Sequence, residues 1–309
     1  MQVILGSGGA VANELAKVLP EYTDKIRLVS RNPVKINDTD ELFKGDLTDE
    51  RDAKKAVEGA DVAYLTVGLP YKKKVWAALW PMVMENVIKA CQKHNVKLVF
   101  FDNIYMYDRN HLSLMDEETP IRPTSKKGEV RKEIADMLMR AIDRGRINGL
   151  IARCADYYGP GIERNGMLNE MMFKPLHQNK KASWLCSMKY RHSITYVPDA
   201  ARGTAILGNT EDAYGQVWHL PTADNPPTGQ QWLEMIANEM GRKPSSQVAN
   251  RLIIALMGLS NPILGEVREM MYQYDRDYVF DSSKFNQKFN FTPTSYPDGV
   301  KEVVAKDYS

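Results

Sequence analysis

The chain has 309 residues, of which 43% are apolar and 26% are charged. That length predicts one large α/β domain carrying a smaller appendage. Its 41 basic residues nearly balance its 39 acidic residues, which leaves a net charge of +2. A dedicated nucleic-acid or membrane-surface binder would show a clustered basic excess, so we expect neither kind of partner.

The cysteines, histidines and apolar runs exclude several other classes of protein. The 3 cysteines (Cys91, Cys154 and Cys186) are widely spaced, which fits neither a disulfide framework nor a CxxC metal site. The 5 histidines lack metal-ligand spacing, so we expect no bound metal. The first apolar run, at residues 3–5, breaks at Gly6 and is too short for a signal peptide or a membrane span. We therefore expect a soluble, cytoplasmic protein.

Strand and helix patterns alternate along the first half of the chain. Short apolar runs predict strands near residues 3–5, 26–30, 42–43, 61–67, 98–101 and 149–153. Apolar residues at helical spacing predict helices near residues 11–19, 53–57, 75–91 and 130–142. Pro81 is expected to kink the third of these helices or to split it in two. Strands joined by such helices predict a doubly wound parallel sheet of the α/β class.

A glycine-rich turn, Gly6-x-x-Gly9-x-x-Ala12, lies between the first strand and the first helix. Gly6 permits the tight turn, Gly9 lets the backbone approach a pyrophosphate, and the small Ala12 allows close helix packing. The free N–H groups at the start of the helix would bind the phosphates. The residues predicted to contact a dinucleotide here are Gly6, Ser7, Gly9, Ala10 and Val11. The alternative is a glycine turn that binds no ligand.

The end of the second strand indicates which dinucleotide is bound. Proteins that bind NAD usually carry Asp or Glu there, where the carboxylate binds the ribose 2′-hydroxyl. This chain has Ser30 followed by Arg31, and a guanidinium beside a hydroxyl suits the 2′-phosphate of NADP. We therefore predict that the cofactor is NADP rather than NAD. The alternative is a surface arginine with no such role.

The alternation of strands and helices becomes less regular after about residue 162. We assign residues 1–164 to a Rossmann-type NAD(P)-binding domain, whose sheet is completed by about residues 191–221. The completing strands are predicted near residues 194–197 and 217–220. Residues 165–190 and 222–309 form the predicted smaller C-terminal substrate-binding lobe.

Several further stretches share the features of one family. They are residues 44–49 (Lys-Gly-Asp-Leu-Thr-Asp), residues 59–68, Asn86, residues 153–160 (Arg-Cys-Ala-Asp-Tyr-Tyr-Gly-Pro), residues 196–199 and residues 289–293. Together with the glycine turn they resemble the extended short-chain dehydrogenase/reductase family, the group of NAD(P)-dependent epimerases and dehydratases. The resemblance covers nearly the whole chain and implies a small carbonyl or sugar-derived substrate.

The resemblance also implies roles for residues outside the glycine turn. Asp46 and Leu47 would border the adenine of the cofactor. The residues implied to lie beside the cofactor are Val67, Gly68 and Asn103. The residues implied to bind the substrate are Arg153, Asp156 and Tyr157, of which Asp156 stands where the family has an asparagine.

The three catalytic positions of the family are all substituted in this chain. The family uses a Tyr-x-x-x-Lys pair together with a Ser or Thr. Aligning residues 120–131 puts Lys127 at the tyrosine and Arg131 at the lysine, and Asn103 stands at the serine or threonine. The usual tyrosine chemistry cannot be carried over, so the chain resembles an atypical member of the family.

Lys127 and Arg131 are nevertheless candidates for an altered catalytic patch. At about 100° per residue both lie on the apolar face of the predicted helix. Inward-facing cations need an anionic or polar partner, unless the two side chains only snorkel to the surface. Burial and a neighbouring like charge both favour the neutral form of an amine, so Lys127 could donate or accept a proton.

Two other residues could assist this patch, and Asn103 could belong to it. Tyr105 could supply a phenol, and Asp156 could bind substrate or act as a base, although packing or capping would equally explain both. Asn103 could donate an amide hydrogen bond to a carbonyl oxygen.

These observations lead to two functional hypotheses. The first is an NADP(H)-dependent oxidoreductase or epimerase-like enzyme whose altered patch contains Asn103, Lys127 and Arg131. The alternative, motivated by the substituted catalytic positions, is a catalytically inactive NADP(H)-binding sensor or regulatory protein. The helices predicted near residues 75–91 and 130–142 resemble the pair that forms a dimer bundle in related enzymes, which implies a homodimer.

Overall fold

The computed structural model of the protein describes residues 1–162, 166–257 and 262–309. Its strands are β1 (Gln2–Leu5), β2 (Ile26–Ser30), β3 (Glu41–Lys44), β4 (Val62–Leu65), β5 (Lys97–Asp102), β6 (Gly149–Arg153), β7 (Asp156–Tyr158), β8 (Ala182–Leu185), β9 (Ile194–Tyr196), β10 (Val217–His219) and β11 (Ser246–Ala249). Its helices are α1 (Ala10–Val18), α2 (Glu50–Val57), α3 (Lys73–His94), α4 (Lys126–Asp143), α5 (Lys174–His177), α6 (Val197–Gly208), α7 (Gly229–Glu239), α8 (Arg251–Met257), α9 (Pro262–Val267), α10 (Ser283–Phe289) and α11 (Tyr296–Asp307).

Seven strands form one parallel sheet in the order β10-β6-β5-β4-β1-β2-β3. From β1 the chain first winds outward through β2 and β3, and then returns to wind outward on the other side through β4, β5 and β6. The winding therefore reverses between β1 and β4, and ligands of such sheets bind at the carboxyl ends of the strands near this reversal. The predicted fold class, a Rossmann-type doubly wound parallel sheet, is confirmed.

The chain divides into two compact units, and the first contains this sheet. The first unit comprises residues 1–106, 126–154 and 200–220. Every residue of β1 and β4 is buried, as expected for parallel strands that helices cover on both faces. Helices α2, α3 and α4 contribute apolar side chains to the core of this unit, including Val57, Val83, Ile88 and Leu138.

The second unit comprises residues 107–125, 155–199 and 221–309. It contains two parallel two-stranded sheets, β7-β9 and β8-β11. Large aromatic side chains dominate its core, and they include Tyr158, Trp184, Trp232 and Tyr296. The rings of Tyr158 and Trp232 meet edge to face with their centroids 5.4 Å apart, a geometry that aromatic pairs favour.

The structure corrects one predicted strand pairing. Residues 194–197 were expected to complete the main sheet, but β9 pairs with β7 instead, with Ile194 opposite Asp156. Of the two strands expected to complete the main sheet, β10 does so, beside β6. An apolar run predicts that a strand forms, but it carries no information about which strand becomes its partner. The predicted domain boundary at residues 164 and 165 lies outside the described residues.

Helix α3 continues through Pro81 as a single helix of 22 residues, so the proline does not split it in two. An interior proline removes one backbone hydrogen bond and costs about 3 kcal/mol. Buried side chains on both sides of the proline, among them Trp80, Val83 and Met84, anchor the two halves in one core and offset that cost. No helix within the described residues has the length and apolar character needed to cross a membrane.

Candidate active site

The glycine turn joins β1 to α1, and its backbone packs against the segment that follows β4. Gly6 has a φ angle of +104°, and a Cβ atom on it would lie only 2.6 Å from the Cα and N atoms of Val67. The backbone N–H groups of Gly6 and Ser7 both donate to the carbonyl oxygen of Val29, at 2.9 Å each. Both the positive φ angle and the close approach to Val67 require glycine at residue 6.

Three features of the turn fit the phosphate groups of a dinucleotide. Gly9 is the N-cap of α1, and no side chain of the described residues caps the helix, so its first N–H groups can bind a ligand. A Cβ atom on Gly8 or Gly9 would meet nothing within 4 Å, which leaves open space beside the turn. The hydroxyl of Ser7 is buried without a hydrogen-bond partner among the described residues, and such a group is expected to bind a ligand.

The residues predicted to contact the adenosine half of the dinucleotide lie at or just after the ends of β2 and β3. Ser30 is half-buried, and Arg31 is exposed. The backbone N–H and the hydroxyl of Thr48 donate to Asp46 Oδ1 at 3.0 and 2.8 Å. These hydrogen bonds hold the pKa of the Asp46 carboxyl below its ordinary value, and the positive charge of Arg31 lowers that pKa further. Arg31 and Asp46 are therefore close enough to interact electrostatically.

Asn86 connects the adenine-side loop to α3. Its side-chain amide donates to the carbonyl oxygens of Leu47 and Thr48, both at 3.0 Å. Leu47 is buried, whereas Gly68, which follows β4, is exposed. Asn86 thus fixes the loop that the sequence assigned to the adenine.

Asn103 and Tyr105 lie in the loop after β5, as the sequence predicted. The Asn103 N–H donates to Asp102 Oδ1 at 2.8 Å, and Asn103 Oδ1 accepts a hydrogen bond from the Tyr105 N–H at 3.1 Å. The Tyr105 ring stacks on Trp76, with centroids 6.2 Å apart. The Asn103 carbonyl is therefore used within its own loop, while its amide NH₂ makes no hydrogen bond to a described residue.

Lys127 lies in the first turn of α4 and is completely buried, with 0% of its surface exposed. Its Nζ atom is 4.3 Å from the centroid of the Tyr71 ring, which is within the range of a cation–π contact. A snorkelling lysine would bring its ammonium group to solvent, and the burial of Lys127 excludes that alternative.

Arg131 is also buried, and its guanidinium is paired with a carboxylate. Its Nε atom donates to Asp102 Oδ1 at 2.7 Å, and its Nη2 atom donates to the same oxygen. The guanidinium also lies over the rings of Trp80 and Phe100, 4.6 and 5.0 Å from their centroids. Asp102 Oδ2 is 3.4 Å from Arg153 Nε, so one carboxylate serves two buried guanidinium groups.

Sequence reasoning missed Asp102, which supplies the anionic partner that an inward-facing Arg131 requires. The sequence could have indicated Asp102 as a site residue, because it ends an apolar strand and directly precedes Asn103. Asp102 on β5 is the register partner of Arg153 on β6, and parallel strands bring their carboxyl ends to one edge of the sheet. Tyr71 was also missed, since a tyrosine in a loop gives no local signal of its contact with a helix.

Asp156 and Tyr157, which were predicted to bind the substrate, lie on β7 in the second unit, and both are half-buried. Asp156 Oδ2 is 3.1 Å from His192 Nε2 and accepts a hydrogen bond from the Tyr274 hydroxyl at 3.2 Å. Burial raises the pKa of the nearby Tyr272, and the Asp156 charge raises it further. Among the described residues, no group of three or more His, Cys, Asp or Glu side chains is arranged to hold a metal ion.

Solved structures with this architecture span almost the entire chain. The UDP-glucuronic acid 4-epimerase of Bacillus cereus, in complex with NAD, is 16% identical over 99% of this chain and 96% of that chain, with a TM-score of 0.79. The UDP-glucose 4-epimerase of Thermus thermophilus, in complex with NAD, is 15% identical over 99% and 98%, with a TM-score of 0.79. A double mutant of a dTDP-glucose 4,6-dehydratase from Streptomyces venezuelae is 14% identical over 99% and 96%, with a TM-score of 0.78. These similarities show that the fold is shared.

The sequence pattern of one family extends over most of the chain. The pattern of the NAD dependent epimerase/dehydratase family matches residues 2–219, which includes every strand of the main sheet. No curated protein matches the chain in sequence. The chain belongs to the NAD-dependent epimerase/dehydratase family.

Proposed function

We propose that the protein is an NADP(H)-dependent epimerase, dehydratase or reductase that acts on a sugar nucleotide or a related small carbonyl compound. The observation that carries the proposal is the complete burial of Lys127 at the position of the family's catalytic tyrosine. Burying an ammonium group is costly, and a site that keeps one inside can use it as a proton donor or acceptor. The solved structures with this fold support the substrate class, because their names specify UDP-glucose, UDP-glucuronic acid and dTDP-glucose.

A bound nicotinamide dinucleotide would supply hydride transfer, and the chain's own groups would supply binding and proton transfer. Gly6, Ser7 and Gly9 would hold the pyrophosphate at the start of α1. Lys127 would move the proton at its Nζ atom, and the Asn103 amide would donate a hydrogen bond to the substrate carbonyl. Arg131 would act as a positioning residue, since Asp102 already pairs with its guanidinium.

The remaining predicted residues are proposed to position other side chains or to bind the substrate. Tyr105 would hold Trp76 and the loop that carries Asn103 through its stacked ring. Asp156 and Tyr157 of the second unit would bind the substrate. Arg153 would act through Asp102, because its guanidinium is buried next to that carboxylate.

Product formation tests the proposal directly. Purified protein should convert at least one member of a panel of nucleotide sugars, aldehydes and ketones in the presence of NADP⁺ or NADPH. Nuclear magnetic resonance detects epimerised or dehydrated products, and the absorbance of the reduced nicotinamide detects net redox turnover. Binding of NADPH without any product from the panel would contradict the enzymatic function.

The preference for NADP gives a separate prediction. Replacing Arg31 with alanine should weaken NADPH binding by about 10- to 100-fold, because a hydrogen-bonded charge contributes about 1.5–3 kcal/mol. NADH affinity should change by less than about threefold, since NADH has no 2′-phosphate to contact. Isothermal titration calorimetry measures both affinities, and replacing the exposed Arg51 of α2 with alanine is the matched control. Equal losses for the two cofactors would show that Arg31 does not recognise the 2′-phosphate.

A second candidate function is an inactive NADP(H)-binding sensor. It is favoured by the contacts of the substituted positions, because Asp102 engages Arg131 and the backbone of Tyr105 engages the Asn103 carbonyl. Such a protein would bind NADPH through the glycine turn and form no product. The same product assay therefore distinguishes the two functions.

A further inference from the structure

A buried histidine in the second unit holds the carboxylate of Asp156. His192 is 2% exposed, and its Nε2 atom lies 3.1 Å from Asp156 Oδ2. The Tyr274 hydroxyl donates to the same oxygen at 3.2 Å. An ionised carboxylate has acceptors only, so His192 donates this hydrogen bond from its Nε2–H group.

Aromatic side chains fix the His192 imidazole in one orientation. Its ring is stacked between Tyr274 and Tyr278, with centroid distances of 4.9 and 4.3 Å and interplanar angles of 12° and 6°. Trp184 meets the imidazole edge to face at 5.8 Å. The His192 backbone is held as well, because its carbonyl oxygen accepts a hydrogen bond from Trp232 Nε1 at 3.1 Å. Packing therefore leaves the donor of His192 a single direction, toward Asp156.

The other carboxylate oxygen of Asp156, Oδ1, differs from Oδ2 in its hydrogen bonds. Among the described residues, none donates a hydrogen bond to Asp156 Oδ1, and the side chain keeps 13% of its surface exposed. Within the same residues, His192 is the one basic side chain that pairs with Asp156, and no lysine or arginine neutralises its charge. Asp156 thus presents one free carboxylate oxygen whose direction is fixed by His192 and Tyr274.

We propose that Asp156, oriented by His192, selects substrates whose sugar donates a hydroxyl group at this point and rejects sugars that carry a carboxylate. This inference rests on the proposed function, since it specifies the substrate of the same enzyme. A carboxylate accepts a hydroxyl hydrogen bond strongly, whereas two like charges at close range repel each other. The family's asparagine at this position is neutral and would make no such distinction by charge. Asp156 is the selecting group, and His192 is a positioning residue.

Two nucleotide sugars that differ in one group test the proposal. UDP-glucose carries a CH₂OH group where UDP-glucuronic acid carries a carboxylate, and the rest of the two molecules is identical. Isothermal titration calorimetry of the NADPH-loaded protein should give a Kd for UDP-glucuronic acid at least about tenfold above that for UDP-glucose. The D156N variant should bring this ratio to within about threefold of one, because the substitution keeps the shape of the side chain and removes its charge.

Variants of the positioning residue separate orientation from folding. The H192Q variant keeps an N–H donor near the Nε2 position and should retain the discrimination, whereas H192L removes the donor and should reduce it at least threefold. Asp277, which is partly exposed and pairs with Arg191, gives the matched control D277N, whose ratio should equal that of the wild type. A merely structural role for His192 would weaken both ligands equally and leave the ratio unchanged.

The outcomes distinguish this inference from the function on which it rests. Equal binding of the two nucleotide sugars by the wild type, or an unchanged ratio in D156N, overturns the inference while the proposed function stands. If neither nucleotide sugar binds while products form from other compounds, the inference also fails alone. If neither binds and no compound of the panel is converted, the proposed function fails as well.

Discussion

Replacing Lys127 with methionine should lower kcat by about 100- to 10,000-fold, the usual contribution of a positioned proton donor or acceptor. The affinity for NADPH should stay within about threefold of the wild type, because the glycine turn and Arg31, rather than Lys127, are proposed to bind the phosphates. Steady-state kinetics on the substrate identified by the product assay, together with calorimetric NADPH titration, measure the two effects.

The loss of activity in this variant should not result from unfolding. Lys127 is completely buried, and an unbranched methionine fills nearly the same space beside Tyr71 without a charge to desolvate. We therefore expect Lys127→Met to be folded at the temperature of the kinetic assay, which its melting temperature checks. A variant that is folded, binds NADPH and lacks turnover assigns the proton transfer to Lys127.

The neighbouring lysine provides a matched control. Lys126 is 70% exposed and pairs with Glu129 at 2.9 Å on the surface of the same helix, so Lys126→Met should leave kcat unchanged within about twofold. The proposal for Lys127 is contradicted if Lys127→Met retains more than about a third of the wild-type kcat. In that case the proton must come from another group, and Tyr105 is the next variant to measure.

Local patterns in the sequence were sufficient to predict the fold. The strands β1, β4 and β5 each contain a run of apolar residues, because parallel strands in this sheet are covered on both faces. The glycine turn was predictable because the backbone at residue 6 has a φ angle of +104°. Glycine adopts this conformation readily, so a glycine directly after the first strand indicates the turn. Lys127 and Arg131 could be placed inside the protein because helical periodicity alone defines the apolar face of α4.

The contacts that decide the chemistry of the site were not predictable in the same way. Asp102 and Arg131 are 29 positions apart in the chain, and Asp156 and His192 are 36 positions apart. Such pairs depend on how strands and helices assemble, which no short window of sequence records. The pairing of β9 with β7 instead of the main sheet escaped prediction for the same reason.

Replacing Asp102 with asparagine should lower the free energy of unfolding by about 3–5 kcal/mol, the usual effect of breaking a buried ion pair by removing one partner. Arg131 and Arg153 are 4% and 2% exposed, whereas the Asp102 side chain between them is 0% exposed. Asparagine would keep the shape of Asp102 but remove the negative charge that both buried guanidinium groups contact. The midpoint of urea unfolding should fall, with little change in the dependence of the free energy on urea concentration.

A second Asp→Asn variant in the first unit controls for the substitution itself. Asp136 pairs with Lys132 on the outer side of α4, where the two side chains are 35% and 42% exposed. Surface pairs of this kind contribute about 0–1 kcal/mol, so Asp136→Asn should shift the unfolding midpoint only slightly. Replacing Arg131 with methionine should lower the free energy of unfolding by at least about 1 kcal/mol less in the Asp102→Asn variant than in the wild type. In the wild type the replacement leaves the Asp102 carboxylate without its Arg131 partner, whereas in Asp102→Asn that carboxylate is absent. Equal effects of Asp102→Asn and Asp136→Asn would show that Asp102 does not neutralise the two buried arginines.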